Sequence, residues 1–488
     1  MNRKRTALGA LPAVLLAALW MLQPFSASAL RISSADIDYT LDGDGRRVYI
    51  PKTYEFSELL DDPDGTLNHP QDLFIDAEDQ MYIADTDNHR VLKLDQNRRL
   101  CAVYTGDGET DFNQPTGVFA AADGTLYVAD YGNSRIVRLD AEGRKLREYG
   151  MPDSELLGDV YEFRPNKVCV SDGGDLYVIM GKNFMKLSAD NEFLGYVGAG
   201  RVSYGFADWV RDLFLTEEQK SKIARREPVS YSNFTLGANG RLYAVAAGST
   251  EQIRIINSVG NNIYKTGTAF GEKTEGTSGS WFIPAWLDPD FADITVDADG
   301  ILTVADKNNC RLYQYDGNGN LLTVFGGRGS TRGRFQVPSA VATDSTGRIY
   351  VLDSALGCVQ VFTPTGFIRS IHEALLLYEN GQYTASGEKW REVETVNGDY
   401  PLSQQCLGDI YYKAKAWPEA MKAYRTVGDT EGYIRAYGRY LHDGISEHFL
   451  WAAVGLAAGV FALGWLLLRG RRLANRYSRE LFGIRSDR

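Results

Sequence analysis

Histidine and cysteine are scarce in this chain of 488 residues, with five of each. The cysteines (Cys101, Cys169, Cys310, Cys358 and Cys406) are scattered, odd in number and without a C-x-x-C pair, which argues against a disulfide framework. Cys310 and Cys358 stand at nearly equivalent places in successive repeats, as small buried residues would. Positive charge is also lacking. The formal net charge is −11, so an extended nucleic-acid footprint is not expected. Neither a G-x-S-x-G elbow nor a phosphate-cradling loop is present. TLGANGRL (Thr235–Leu242) has the glycines of such a loop, but the repeat described below already accounts for them.

Two stretches lack charge altogether, and both lie near the ends. Ala7–Leu22 is apolar, follows Arg3, Lys4 and Arg5, and leads to Ala27-Ser28-Ala29. That is the layout of a secretory signal cleaved after Ala29; an uncleaved anchor helix is the other reading. Phe449–Leu468 is equally free of charge and carries Trp451 and Trp465 near its ends. At ~1.5 Å per residue it is long enough to cross ~30 Å of hydrocarbon. Asp443 and Glu447 precede it, whereas Arg469, Arg471, Arg472, Arg476 and Arg479 follow. The basic flank places the C-terminus in the cytoplasm and the rest outside. With both basic ends set aside, the exported part is more acidic still and would repel polyanions.

What is plentiful is glycine, 50 residues, as expected of a turn-rich β protein. MYIADTDNHRVLKLD (Met81–Asp95) returns as LYVADYGNSRIVRLD (Leu126–Asp140), ILTVADKNNCRLYQYD (Ile301–Asp316) and IYVLDSALGCVQVFT (Ile349–Thr363). Anchored on Tyr82, Tyr127, Tyr177, Tyr243, Thr303 and Tyr350, the template holds six times, with Pro70, Pro115, Pro165, Tyr231, Phe291 and Pro338 twelve residues upstream. Four short strands per period of roughly 40–50 residues predict propeller blades. The Asp that closes the second strand (Asp85, Asp130, Asp306 and Asp353) is expected to accept backbone N–H bonds in the following turn. DTDNH (Asp85–His89) lacks the Gly and distal Glu of a calcium loop.

The run Pro115–Ile136, P-x-G-V-x-x-x-x-D-G-x-L-Y-V-A-D-x-x-N-x-R-I, resembles the NHL repeat, as does FGGRGSTRGRFQVP (Phe325–Pro338). The likeness covers Leu67–Ile371 and weakens in blades 3 and 4, where VIM (Val178–Met180) and AVA (Ala244–Ala246) replace the terminal Asp. A second repeat, shifted by 34 residues, aligns Tyr378, Tyr383, Ser386 and Trp390 with Tyr412, Trp417, Ala420 and Tyr424. It resembles the tetratricopeptide (TPR) repeat. Fewer than three full repeats suggests docking against the propeller or membrane.

The expected fold is therefore an all-β six-bladed propeller plus a small α-helical (TPR-like) domain and one transmembrane helix. The expected division is signal 1–29, extended arm 30–65, propeller 66–371, helical domain 372–448, membrane helix 449–468 and basic cytoplasmic tail 469–488. The arm is expected either to add an outer strand at the ring junction or to reach the helices.

Chemistry is harder to find. An NHL-type lyase of peptide amidation uses histidine-bound zinc, yet only His69 and His89 fall within the repeats. Calcium-dependent lactonases such as gluconolactonase hold the ion with Glu, Asn and Asp on inner strands. Here those strands offer Asp72, Asn166, Asn233 and Asp293 and no matching Glu. The expectation is thus no enzyme, no catalytic residue, no metal and no cofactor. The candidate ligand-binding residues are Trp281, Phe282 and Trp286 in the linker between blades 4 and 5, where they either stack on sugar or peptide or plug the ring. The small polar residues following each template proline, Gln71, Thr116, Asn166, Ser232 and Ser339, complete the set. A further expanded linker, Arg201–Val229, carries an apolar helical face (Trp209, Val210, Leu213, Phe214 and Leu215) that either packs over the ring or forms a lid. The reading is a membrane-anchored, extracytoplasmic binding or scaffolding protein with a protein, peptide or glycan partner, as in envelope or transport systems of similar layout. The alternative is a metal-dependent hydrolase or lyase working in the channel.

Overall fold

A computed structural model describes residues 37–60, 67–154, 157, 162–181, 183–198, 229–276 and 285–482. The signal segment, the 201–228 linker, Trp281 and Phe282 lie outside these residues.

Six antiparallel sheets are arranged as a ring. Their first strands are Asp72–Ile75, Pro115–Ala120, Lys167–Val170, Tyr231–Leu236, Phe291–Val296 and Pro338–Thr343. Each touches the next, and the sixth returns to the first, so they line a closed channel. Second strands such as Met81–Asp85 and Leu126–Asp130 are buried at every position. A blade in this layout is covered on both faces by its neighbours, which is why the YxAD strands alternate little and read as continuous apolar runs.

The recurring Asp behaves as expected, and its reach is longer than one turn. Asp130 Oδ1 accepts the backbone N–H of Asn113 at 2.7 Å, and its Oδ2 accepts Asn133 Nδ2 and Arg135 Nε at 2.8 Å each. Asp85 does the same with Asn68, Asn88 and Arg90. Asp306 and Asp353 likewise collect N–H groups from both the following turn and the incoming chain. All four carboxylates are fully buried. In blades 1, 2, 5 and 6 the motif returns because one acceptor ties the second strand to the residues entering the first.

The arm closes the ring. Tyr54–Leu60 pairs with Cys358–Pro364 as the outer strand of blade 6, so one sheet holds residues from both ends of the propeller. The hairpin Tyr39–Leu41/Arg47–Tyr49 extends blade 5 by pairing Tyr39 with Val324. Arg98 stacks 4.3 Å above the Tyr350 ring and donates to its hydroxyl at 2.7 Å, locking blade 1 to blade 6.

Five helices follow: α1 (Gly366–Glu379), α2 (Tyr383–Val396), α3 (Pro401–Lys413), α4 (Trp417–Thr426) and α5 (Thr430–Phe482). Helix α1 starts within the stretch expected to be propeller. Sequential helices pack pairwise, and Trp390 and Tyr424, aligned by the 34-residue shift, are both fully buried. Gly408 is required beside Tyr424, because a Cβ there would lie 2.7 Å from the ring. Helices α1 to α3 do not form a separate core. Phe367, Ile368, Ile371, Trp390 and Tyr400 share one cluster with Ile50, Tyr54, Phe325 and Phe335. Both outcomes expected for the arm therefore occur together: it adds a strand and it reaches the helices.

His372 on α1 sits in this junction. Its Nε2 lies 3.1 Å from Gln314 Oε1, and Gln314 donates to the Tyr54 hydroxyl at 2.7 Å. Burial lowers the imidazole pKa to about 4, below the 6.5 of an exposed histidine. Between those values the unfolded chain takes a proton that the folded one refuses, so stability falls as pH drops from 6.5 toward 4. The variant His372→Gln should show a shallower loss of thermal midpoint over that window. An unchanged acid limb would contradict the assignment.

Candidate functional site: the propeller channel

The first strand of each blade is an edge strand, so its N–H groups facing the channel have no ladder partner. Buried N–H groups need acceptors. Side chains supply them. Asp72 Oδ2 on blade 1 accepts the Val118 N–H of blade 2 at 2.8 Å, and Asp293 Oδ2 on blade 5 accepts the Val341 N–H of blade 6 at 2.8 Å. Asn233 Oδ1 caps its own neighbour, Phe234, at 2.8 Å. The two acids on the inner strands thus stitch blade 1 to blade 2 and blade 5 to blade 6.

Lys167 on blade 3 lies among them. Its ammonium donates to Asp72 Oδ1, and both residues are buried. Burial works against the charge on Lys167, but the Asp72 and Asp293 carboxylates outweigh it and hold its pKa above the ordinary lysine value. Burial pushes Asp293 up to about 7, with Lys167 pulling it down and Asp72 pushing it further up. Cys169, two residues along the same strand, is pushed by burial to about 12 and stays a thiol at neutral pH.

The small polar residues proposed from sequence are gathered at one level of the ring, and the register explains their recurrence. Thr116, Ser232 and Ser339 are skipped in the pairing of first and second strands, making each a bulge residue. Thr116 Oγ1 donates to the Pro165 carbonyl of blade 3 at 3.2 Å, and Ser339 Oγ to the Pro70 carbonyl of blade 1 at 3.2 Å. Asn166 Oδ1 accepts the Gly181 N–H at 3.0 Å. Gln71 is exposed and donates to the His69 carbonyl at 3.4 Å. Trp286 belongs to a short strand, Ala285–Leu287, paired with Thr274–Gly276, and its side chain lies outside the described residues.

Lys167 escaped the reading of the sequence. The signal was available: two positions past the template proline the six blades carry Asp72, Gly117, Lys167, Asn233, Asp293 and Ala340. A resident divalent cation does not fit this set. One Asp72 oxygen holds an N–H and the other an ammonium, so the acceptors a hard cation needs are already engaged. Among the described residues no group of three or more His, Cys, Asp or Glu side chains is placed to hold a metal.

One segment, residues 112–139, matches the NHL repeat family. No curated protein matches the chain. Similar solved structures include a virginiamycin B lyase from Staphylococcus aureus, 13% identical over 68% of this chain and 89% of that one, TM-score 0.39. A gluconolactonase from Xanthomonas campestris is 13% identical over 68% of this chain and 96% of that one, TM-score 0.39. The extracellular domain of a hybrid two-component system from B. thetaiotaomicron is 9% identical over 64% of this chain and 40% of that one, TM-score 0.38. The expectation that the chain is not an enzyme is corrected by this finding: a lyase and a gluconolactonase stand among the similar solved structures. At such identities they assign no substrate and no residue role here.

Two substitutions test the channel. A Cβ at Gly117 would lie 2.7 Å from the Asn166 carbonyl oxygen and 3.0 Å from the Lys167 Cα, so Gly117→Ala should destabilise by roughly 1–3 kcal/mol in denaturant unfolding. Asp293 ionises later when folded than when unfolded, so stability falls as pH rises from about 4 to 7 and is flat above. Asp293→Asn should remove that slope from the midpoint-versus-pH curve. A parallel curve would show the carboxyl to be unperturbed.

Proposed function

We propose that this is a membrane-anchored, extracytoplasmic protein whose propeller and TPR-like helices together bind a protein, peptide or glycan partner, within an envelope or transport assembly. The observation that supports it most is the continuity of α5. This 53-residue helix buries Ala436 against α4, in a cluster with Ala420 and Tyr424, and runs unbroken through the charge-free stretch, where Trp451 and Leu456 are each 74% and Phe461 83% exposed. Among the described residues it is long and apolar enough to cross a membrane. Side chains that apolar and that exposed call for a hydrocarbon solvent. The arginines after Leu468 and the acids before Phe449 favour an outside ectodomain.

The binding role rests on the rigid joint between ring and helices, which offers one large fixed surface, and on the helix spacing. Helices α2 and α4 begin at Tyr383 and Trp417, and each carries its buried aromatic seven positions on, at Trp390 and Tyr424. Paired helices of this kind form concave faces suited to extended partners.

The full chain should stay in the membrane pellet after alkaline washing, and removal of residues 449–488 should release a folded, secreted ectodomain. A truncated chain that stays with the membrane without a partner would overturn the anchor. Cys101 is an exposed thiol in the ectodomain, so a membrane-impermeant maleimide should label intact cells stripped of outer layers, and Cys101→Ser should abolish most of that labelling. Labelling only after lysis would reverse the orientation. With the ectodomain in hand, crosslinking to a defined envelope partner, lost on mutating exposed helix residues, tests the binding role.

A further inference from the structure

Helix α5 turns a charge-free face away from the rest of the chain. Its inner side serves the protein's own body: Ala436 packs with Ala420 and Tyr424 of α4, Asp443 Oδ2 accepts Trp417 Nε1 at 2.9 Å, and Arg435 lies 3.5 Å from Asp409. At about 3.6 residues per turn, Arg439 and Glu447 fall on that same side. The opposite side reads Ile434, Tyr437, Leu441 and Ile445, all exposed, the two isoleucines by 62% and 63%. A helix face bordering water ordinarily carries charge. The bilayer does not account for this stripe. Ile434 stands fifteen residues before Phe449, roughly 22 Å along the axis at 1.5 Å per residue, whereas headgroups add only about 5–8 Å to each side of the hydrocarbon.

The same face continues through the span and beyond it. Followed onward in steps of three or four residues, the stripe passes Ala452, Gly455, Gly459, Gly470, Leu473 and Tyr477 and meets no Asp, Glu, Lys or Arg. Arg469, Arg471, Arg472 and Arg476 all stand off it. The glycines add an independent sign. Where this chain needs a glycine the cause is visible: a Cβ at Gly432 would lie 2.7 Å from the Tyr424 ring. At Gly438, Gly455, Gly459 and Gly470 a Cβ would meet nothing within 4 Å, although glycine weakens a helix relative to alanine. Small residues in such places let a second backbone come close.

We infer that α5 pairs in parallel with α5 of a second copy of this chain, along the face from Ile434 to Tyr477 and closest at Gly455 and Gly459. The lack of charge selects a second copy over another protein. About a two-fold axis each residue of the face meets its own twin, so an ionised group there would meet a like charge; a different partner imposes no such rule. Copies inserted in one direction also present the aqueous, membrane and tail sections of the face at equal heights. That parallel direction rests on the membrane-anchored reading proposed above, whereas the exposed stripe ahead of the span does not.

The test uses the full-length chain in membranes, with Cys101→Ser to remove the exposed thiol and a mild oxidant to join thiols of adjacent copies. Disulfides form only where Cα atoms come within about 7 Å, so Ile434→Cys, Leu441→Cys and Ile445→Cys should each give about tenfold more linked dimer on a non-reducing gel than Arg439→Cys on the inner side. The background chain without an added cysteine should stay monomeric. Gly459→Leu should cut the Ile445→Cys dimer about tenfold by holding the backbones apart, whereas Ala457→Leu, on the other side of the span, should leave it unchanged. Equal dimer from both sides of the helix would overturn the pairing, as would none from the stripe while the chain stays in the membrane pellet. So would capture of a different protein by the stripe cysteines. Recovery of the chain in the supernatant after alkaline washing would overturn the anchor instead, and the same contrast between stripe and inner-side cysteines, read in that soluble fraction, would still decide the pairing.

Discussion

The pairing of Tyr54–Leu60 with Cys358–Pro364 joins the two ends of the propeller in a single sheet. Without it the sixth blade would have three strands and the ring an open seam between blades 6 and 1. Non-local pairing of this kind is costly in chain entropy, since about three hundred residues are looped out before the contact forms. What repays that cost is the burial of every inter-blade face at once. The same arm places Ile50 and Tyr54 under the helices, so one segment both completes the ring and provides part of the floor on which the helical region rests. Folding of the two regions is thereby coupled, and neither has a core of its own at the junction.

A second theme is the use of acidic side chains on the backbone. The buried aspartates at strand ends and in the channel accept N–H groups that the sheets leave over. A carboxylate accepting N–H bonds is a strong hydrogen-bond partner, and it fixes the relative position of two chain segments. This explains how so acidic a protein packs so many acids inside. It also gives a structural account of polar residues that, in a channel, invite a catalytic reading. The structure therefore narrows the residues open to a ligand within the channel while leaving the outer linkers untouched.

Much of the architecture was legible in the sequence because it repeats. The twelve-residue interval from template proline to tyrosine, and the Asp closing the second strand, gave six blades even where VIM and AVA replace the motif. The structure retained those two blades because apolar burial, rather than the terminal acid, holds the strands there. Less legible was everything set by closure. Which strand completes blade 6 depends on a contact across the whole propeller, for which local pattern carries no signal. The bulge at Thr116, Ser232 and Ser339 was hidden as well: the residues were singled out for being small and polar, but their hydroxyls at Thr116 and Ser339 serve the neighbouring blade's proline carbonyl. Lys167 was missed because a lysine on a short apolar strand reads as solvated, and only the ring brings it opposite Asp72.

The unbroken run of α5 has a mechanical consequence. Nineteen residues separate Thr430, where the helix begins, from Phe449, where the charge-free stretch begins. As a straight rod that is a standoff of about 28 Å at 1.5 Å per residue. On the membrane-anchored reading, the propeller would be carried at a set height like a platform on a post, and torque applied to its rim would be transmitted through the post into the bilayer.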